Sequence, residues 1–321
     1  MKKYIPPVLL FIVLFLTSQL CISHILVREG QFSLFLLTPD YFRQIFSEPF
    51  PISHIVYAFV VQFFDIPFVG SAVLSAIAVA LYGICRIVFH KSHIPVATLC
   101  GLVLGSCIFI AGSPSIKRVD RYCSVEQYAR QQRWDELLDI VGPMEAMEDE
   151  SLIPYAMLAL NAKGQLINKM DSYPISGPQD LDMEGIQTRE AYWFSSLLDE
   201  ALGNYNEALH HLFQASCFLP QGMSNISLYQ MIRFNVENEN YTLARKYAEI
   251  LKRSPRNHLL AKKLLKAIAG RQDKPASTDK SSSPVITDSP IVNLGLMRKA
   301  GVQSPMANER LAAYIRLSGT V

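Results

Sequence analysis

Long apolar runs with short polar breaks fill residues 1–112, and an amphipathic helical pattern replaces them from residue 114 onward. The runs cover residues 4–27, 51–65, 68–89 and 94–112. A helix needs about 20 apolar residues to cross a bilayer. The pattern therefore predicts a membrane domain over residues 1–113 with three or four transmembrane helices.

The break at Asp65-Ile66-Pro67 leaves the number of spans open. Proline disfavours a helical conformation in the residue before it, and an aspartate at mid-bilayer costs about 2.5–3.5 kcal/mol. Two arrangements fit: a hairpin with Asp65 in a turn, or one kinked helix with Asp65 against protein. In the second arrangement Asp65, Gln62 and Arg86 would form an intramembrane polar site, so Asp65 and Arg86 are kept as candidates.

The first apolar run and the segment after it set the expected topology. Lys2 and Lys3 favour a cytoplasmic N-terminus, and no small-residue cleavage site ends the run, which favours an uncleaved anchor over a signal peptide. Residues 28–50 suit a helix lying in the membrane interface or a loop packed on the spans. Four spans would leave the C-terminal half in the cytoplasm, whereas three would place it outside.

Small residues at helical spacing indicate close packing between the spans. They occur at Ala72, Ala76 and Ala80, and again at Gly101 and Gly105. Side chains of this size let helix backbones approach closely. We expect these helices to pack on one another or on a partner.

Residues 192–220 read as two short helices joined at Gly203-Asn204 and ended by a proline. Part of this pattern returns 36 residues later, because Tyr205 and Ala208 correspond to Tyr241 and Ala244. Neither short helix can bury its apolar face alone, so the pattern predicts stacked helix pairs over residues 114–270. The pair around Trp134 and the helix before Gly164 fit as earlier, more diverged pairs.

This pattern resembles tetratricopeptide repeats, which have a period of about 34 residues. The resemblance is degenerate, because Ser196 and Asp199 stand where that family prefers a small residue and an aromatic one. It implies an all-α fold in which N-terminal transmembrane helices precede a tetratricopeptide-like α-solenoid. It also implies that the concave face binds a partner through Glu190, Trp193, Leu197, Glu200, Tyr229 and Arg233; Trp193 also suits a plain core position.

The last part of the chain, residues 271–321, is predicted to be a tail. Residues 272–290 are rich in Ser, Pro, Thr and Asp, a composition typical of disorder. A short amphipathic helix follows at residues 308–317. It either docks on the repeat domain or remains free.

Composition and motifs exclude several classes of function. The net charge is +2, which gives no basic face for a nucleic acid. Six cysteines occur without a C-x-x-C pair, and neighbouring His210 and His211 point in different directions on a helix. No nucleophile motif, phosphate-binding loop or metal motif is present, so we predict no catalytic residues, no metal and no cofactor.

The arrangement as a whole resembles an uncharacterised bacterial membrane family whose members carry membrane spans first and degenerate tetratricopeptide helices last. The likeness rests on YFR at 41–43 with Pro49, on QFFDIP at 62–67 with Gly70, and on LALNAKGQL at 158–166. It implies a location in the bacterial inner membrane. This chain has fewer spans than that family usually has.

Two functions follow as hypotheses. The first is a membrane-anchored scaffold, in contact with lipid, whose repeat groove binds a protein partner without catalysis. The alternative is a component of a transport or glycan-transfer system that uses the transmembrane region.

Overall fold

The computed structural model describes residues 5–89, 94–183, 185–272, 290–299 and 304–319. Within these ranges the chain forms eighteen α-helices and no strand, which confirms the all-α prediction. The helices belong to two compact units, Met1–Ser124 and Val125–Val321. The boundary lies about ten residues beyond the predicted one at residue 113, and it falls inside the helix Pro114–Arg130.

The first unit contains six helices and the beginning of a seventh. They are α1 (Ile5–Cys21), α2 (Ser23–Phe32), α3 (Pro39–Phe46), α4 (Pro51–Val61), α5 (Val69–Val88), α6 (Ile94–Gly112) and α7 (Pro114–Arg130). Helices α1, α5 and α6 pack together around Leu14, Ala78 and Cys107. Helix α3 packs on α4 through Tyr41 and Ile45, so much of the mixed segment 28–50 is helical.

Helix α5 is the one helix in the described residues that is by itself long and apolar enough to cross a membrane. The count rises to three if each bent pair is a single span: α1 with α2 bends by 80°, and α6 with α7 by 67°. Helix α4 has only 11 residues, or about 16 Å of rise, which is about half the thickness of a bilayer core. The predicted short span over 51–65 is therefore a shorter helix followed by a turn.

The small residues that pack between the apolar helices differ from the predicted ones. The small buried residues of α5 are Gly70, Ser71, Ser75 and Ala78, whereas Ala76 and Ala80 are exposed. Gly101 and Gly105 are also exposed, and a side chain there would meet nothing within 4 Å. The hydroxyl groups of both buried serines are hydrogen-bonded. Ser75 donates to the Ser71 carbonyl one turn earlier in α5 at 2.7 Å, and Ser71 donates to the side-chain oxygen of Gln19 in α1 at 3.1 Å.

Gly30 of α2 packs closely against the backbone of the turn before α5. A Cβ atom at this position would lie 2.5 Å from the backbone nitrogen of Asp65 and 3.0 Å from the carbonyl carbon of Phe64. Only glycine permits that contact, because both atoms belong to backbone that cannot rotate away. Gly30 therefore fixes α2 against the turn between α4 and α5.

The second unit contains the rest of α7 and eleven further helices. They are α8 (Trp134–Ile140), α9 (Pro143–Glu148), α10 (Ile153–Ala162), α11 (Leu166–Lys169), α12 (Arg189–Leu202), α13 (Tyr205–Cys217), α14 (Asn225–Glu237), α15 (Tyr241–Leu251), α16 (His258–Gln272), α17 (Pro290–Lys299) and α18 (Pro305–Leu317). Helix α10 is buried from Ile153 to Asn161 and forms the centre of this unit. A helix that is buried all round needs apolar residues on every face, and α10 has them.

The same backbone turn occurs between four pairs of successive helices. Its second residue donates its backbone N–H to the carbonyl five residues earlier, at 2.7–2.9 Å, in Arg133, Gln165, Asn204 and Asn240. The residue before each donor has a positive φ: Gln132 (55°), Gly164 (65°), Gly203 (80°) and Glu239 (56°). This is the Schellman type of helix end.

The pattern that returns after 36 residues in the sequence also returns in the structure. Helices α12 and α14 begin at Arg189 and Asn225, and α13 and α15 begin at Tyr205 and Tyr241, in each case 36 residues apart. Ala208 and Ala244 are both fully buried, as their size predicts. Ser196, which departs from the tetratricopeptide pattern, donates its hydroxyl to the Ala208 carbonyl at 2.8 Å and so joins α12 to α13.

The C-terminal helix docks on the second unit. Helix α18 packs against α10 and α11, and Asn161 donates its side-chain amide to the Met306 carbonyl at 2.9 Å and to Glu309 at 3.1 Å. The predicted tail with one helix is corrected to two helices, α17 and α18. The stretch predicted to be disordered, 272–290, lies almost wholly outside the described residues.

The left-handed turns predict opposite effects of two substitutions. Gly203→Ala should lower the free energy of unfolding by about 1–2 kcal/mol, because a Cβ disfavours a positive φ although it meets no atom within 4 Å. Gln132→Gly, at an exposed left-handed position, should raise it by up to about 1 kcal/mol. Denaturant unfolding measures both. Gly270→Ala in α16 is the control and should not destabilise; equal losses at Gly203 and Gly270 would contradict the prediction.

The contact at Gly30 predicts that Gly30→Ala lowers the thermal midpoint of the first unit. The added methyl overlaps the Asp65 backbone, and overpacking of this kind costs about 1–3 kcal/mol. Gly83→Ala in α5 is the matched control, because its methyl meets nothing within 4 Å and alanine favours a helix. Thermal unfolding in one detergent compares the two. An unchanged midpoint for Gly30→Ala would show that α2 does not hold this position.

Candidate functional site

The predicted partner-binding residues fall into a buried set and a half-buried set. Trp193, Leu197 and Glu200 are buried, with 3%, 4% and 6% of their surface exposed. Glu190, Tyr229 and Arg233 are half-buried. The burial of Trp193 fits its interpretation as a core residue. The role of the six residues in binding a partner stays a prediction.

A polar network joins two of these residues across α12 and α14. Arg233 donates to Glu200 at 2.7 Å and to the side-chain oxygen Oε1 of Gln230 at 2.7 Å, while Nε2 of Gln230 donates to the other Glu200 oxygen at 3.1 Å. Burial raises the pKa of Glu200, and Arg233 opposes this shift. Gln230 was not predicted as a site residue, although its position three residues before Arg233 on one helix allows the contact.

Asp65 and Arg86 lie at opposite ends of α5. Asp65 is half-buried in the turn at residues 62–68, before α5 begins. Arg86 lies in the last turn of α5, where its guanidinium is 3.4 Å from the Tyr82 hydroxyl. The 20 residues of α5 span about 30 Å, so Arg86 does not join Asp65 in a shared site. The position of Asp65 agrees with its interpretation as a turn residue.

A cavity of about 660 Å³ lies in the second unit, between the pair α12 and α13 and the C-terminal helices. Titratable and polar side chains concentrate in its wall. They are Asp182, Tyr192, Asp199, Asn204, Glu207, His210, His211, Gln214, Asn293, Arg310 and Tyr314. None of them was predicted as a site residue.

Asp199 and His211 form a half-buried pair in this wall. The Nδ1 atom of His211 lies 2.8 Å from a carboxylate oxygen of Asp199, and the Tyr192 ring stacks on the imidazole at 6.5 Å between centroids. Burial raises the pKa of Asp199, while His211 and Arg310 oppose the shift. The departure from the tetratricopeptide pattern at Asp199 therefore has a physical reason, since α13 supplies a polar partner for it.

The adjacent His210 and His211 line the same cavity, with ring centroids 5.7 Å apart. Their planes differ by 55°, so the adjacent side chains diverge as the helical spacing requires. Among the described residues, no group of three or more His, Cys, Asp or Glu side chains is arranged to hold a metal ion. The two histidines are part of a cavity wall that contains both polar and apolar side chains.

Arg310 of α18 is a buried charged group in the cavity wall. It is 1% exposed, donates to the Leu181 carbonyl, and lies near Asp182 and Asp199. Burial lowers the pKa of Arg310 to about 10, and the two carboxylates counter part of this shift. The guanidinium is therefore charged at neutral pH.

Several buried polar atoms of the cavity residues have no hydrogen-bond partner among the residues that the structure describes. They include Nη1 of Arg310, the hydroxyl of Tyr314 and the side-chain oxygen of Gln214. Buried polar atoms without partners are rare because each costs about 1–3 kcal/mol. A helix at residues 308–317 was predicted, but nothing local in the sequence indicates that its Arg310 lies near Asp199.

The raised pKa of Asp199 predicts a pH-dependent stability. The folded protein holds this proton more tightly than the unfolded chain does, so the group's favourable contribution exists at low pH and is lost as pH rises through the raised value. Relative to Asp199→Asn, the wild type should lose unfolding free energy from about pH 4 upward, by at most about 1.4 kcal/mol per pH unit.

Urea unfolding of both proteins across this pH range checks the expectation. Asp139→Asn, at an exposed position of α8, is the control and should keep a constant difference from the wild type. A constant difference for Asp199→Asn as well would contradict the prediction.

Comparison with known proteins adds one assignment. No curated protein and no solved structure matches the chain. A model of a family of unknown function matches residues 1–113 and 114–284, which is most of the sequence. The match includes the helix pairs and ends before α17 and α18, so Arg310 and Tyr314 lie beyond it. The chain therefore belongs to the family of unknown function DUF6057.

Proposed function

We propose that this protein is a membrane-anchored scaffold whose stacked helix pairs bind a protein partner. One observation carries the proposal: the contact of Glu200 on α12 with Gln230 and Arg233 on α14. These are the first helices of two successive pairs. Side-by-side first helices are how stacked pairs make an extended binding face.

The repeated turn supports a tetratricopeptide-like stack. Four helix ends have a left-handed residue followed by a donor to the carbonyl five residues earlier. The fourth residue of the helix that follows is fully buried in three cases, Leu137, Ala208 and Ala244. Equivalent backbone and equivalent burial at these positions are what repeated units require, since each pair must offer its neighbour the same surface.

The membrane anchor in this proposal consists of α5 and its apolar neighbours. Helix α5 has the length and composition of a span, and α1 and α6 pack against it. Their outward positions include Leu9, Ile84, Leu102, Ile108 and Phe109, which are large, apolar and exposed. Lipid is the environment that favours such a surface, and the bacterial inner membrane is the proposed location.

The half-buried residues of the face supply the proposed contacts. Tyr229 offers a large ring with a polar tip, and Arg233 keeps 38% of its side chain exposed while it pairs with Glu200. Tyrosine and arginine are frequent among residues that dominate binding energy. Because Gln230 and Glu200 already orient Arg233, a partner carboxylate would meet a preordered guanidinium.

Site-specific photo-crosslinking tests this face in cells that express the full chain. A benzophenone side chain at Tyr229 should give one discrete crosslinked species, because the proposed partner covers this position. The same group at Lys262, an exposed position of α16, is the control. Arg233→Ala should reduce the crosslink at position 229 by about tenfold, since loss of a binding arginine costs about 1–2 kcal/mol.

The result at the control position decides the outcome. Equal yields at positions 229 and 262, or a crosslink unaffected by Arg233→Ala, would contradict binding through this face. Mass spectrometry of the crosslinked species identifies the partner and shows whether it is a protein.

A further inference from the structure

The cavity between α12, α13 and the C-terminal helices has the size and the lining of a small-molecule binding site. Its wall comes from three separate parts of the chain: the helix pair, residues 182–183 with 185–187, and α17 with α18. Its volume of about 660 Å³ lies within the usual range for small-molecule sites, about 300–1,000 Å³. The walls of the site are therefore complete only when α18 is docked.

We propose that this cavity binds a neutral polyhydroxylated molecule of the monosaccharide class, and that α18 provides two of its contacts. The first argument is the hydrogen-bonding inventory. Nη1 of Arg310 can only donate, the side-chain oxygen of Gln214 can only accept, and the Tyr314 hydroxyl can do both. A sugar hydroxyl donates and accepts at once, so one ligand type satisfies all three atoms.

The second argument is burial. Arg310 and Tyr314 are each 1% exposed, so the two atoms are deep in the protein. The Arg310 guanidinium reaches over the Tyr314 ring at 6.0 Å, which keeps both groups at one end of the cavity. Groups that are fixed before binding lose little conformational entropy when a ligand arrives.

The third argument is charge. The titratable groups that face the cavity are Asp182, Asp199, Glu207, His210, His211 and Arg310. Arg310 already lies beside Asp182 and Asp199, so an anionic ligand would approach an arginine whose charge is compensated, with Glu207 close by. The charged group of a cationic ligand could not accept a hydrogen bond from Nη1 of Arg310, which can only donate. A neutral ligand avoids both penalties.

The fourth argument is the apolar part of the wall. Tyr192, Leu198, Leu202 and Leu294 line the same cavity as the polar groups. A pyranose ring has hydroxyl groups around its edge and C–H groups on its faces. It therefore matches a wall that combines apolar side chains with a few placed polar ones.

Ligand binding and docking of α18 are linked in this arrangement. A molecule that contacts Arg310 and Tyr314 binds the docked form better than a form with α18 detached. By mass action the ligand then stabilises the docked helix. This gives a readout other than binding itself, namely hydrogen exchange of the α18 backbone amides.

The experiment uses the full chain in phosphatidylcholine nanodiscs, which contain no sugar detergent. Saturation-transfer NMR is recorded with D-glucose, D-galactose, D-mannose and N-acetyl-D-glucosamine. D-glucuronate and D-glucosamine are the matched probes, because they keep the pyranose ring and add a negative or positive charge. We expect transfer to at least one neutral sugar, weaker binding of both charged analogues, and slower exchange in α18 when the neutral sugar is present.

Tyr314→Phe is the decisive variant. It keeps the buried ring and removes a hydroxyl without a protein partner, so the fold should be retained. Sugar affinity should fall about fivefold to tenfold, as expected for one lost hydrogen bond. Tyr247→Phe on α15, outside the cavity, should leave the affinity unchanged.

Three results would overturn the proposal. The first is no transfer to any of the four neutral sugars, which would mean that water alone satisfies the buried atoms. The second is tighter binding of glucuronate or glucosamine, which would assign a charged ligand. The third is sugar binding that Tyr314→Phe does not change, which would place the sugar elsewhere on the protein.

Discussion

Successive helices of the second unit are joined by a two-residue turn that reverses the chain at little cost. Its geometry requires one residue with a positive φ, and its backbone bond satisfies a carbonyl at the end of the first helix. Once the chain turns this sharply, the two helices must pack against each other at once. Fully buried Ala208 and Ala244 permit that packing, and the exposed polar face of each pair is then fixed as well.

The buried charges of the cavity depend on this packing. Asp199 lies on α12 and receives His211 from α13, so the turn at Gly203 brings the two together. Arg310 arrives from α18 and compensates carboxylates that burial would otherwise penalise. If α18 detached, the carboxylates would lose the guanidinium that compensates them, which is energetically costly. The charges of the cavity therefore hold α18 in the folded unit.

Two binding functions fit this architecture at different places. The face shared by α12 and α14 carries a half-exposed arginine held by Glu200 and Gln230, a surface suited to a protein partner. The cavity wall includes buried donors and acceptors that have no partner among the described residues, a setting suited to a small polar ligand. In this proposal a ligand that holds α18 in place also stabilises the unit that presents the partner face, so one could influence the other.

The sequence by itself determined the all-α fold, the apolar first unit and the 36-residue relation between α12–α13 and α14–α15, because each rests on local periodicity and on glycine or alanine at fixed positions. Only the tertiary structure decided which small residues of α5 lie inside, that Asp65 and Arg86 lie far apart, and that Trp193 is buried. It alone joined Arg310 to Asp199, 111 residues apart in the chain. Such contacts depend on long-range packing and on the balance of buried charges, for which the local pattern of residues contains no signal.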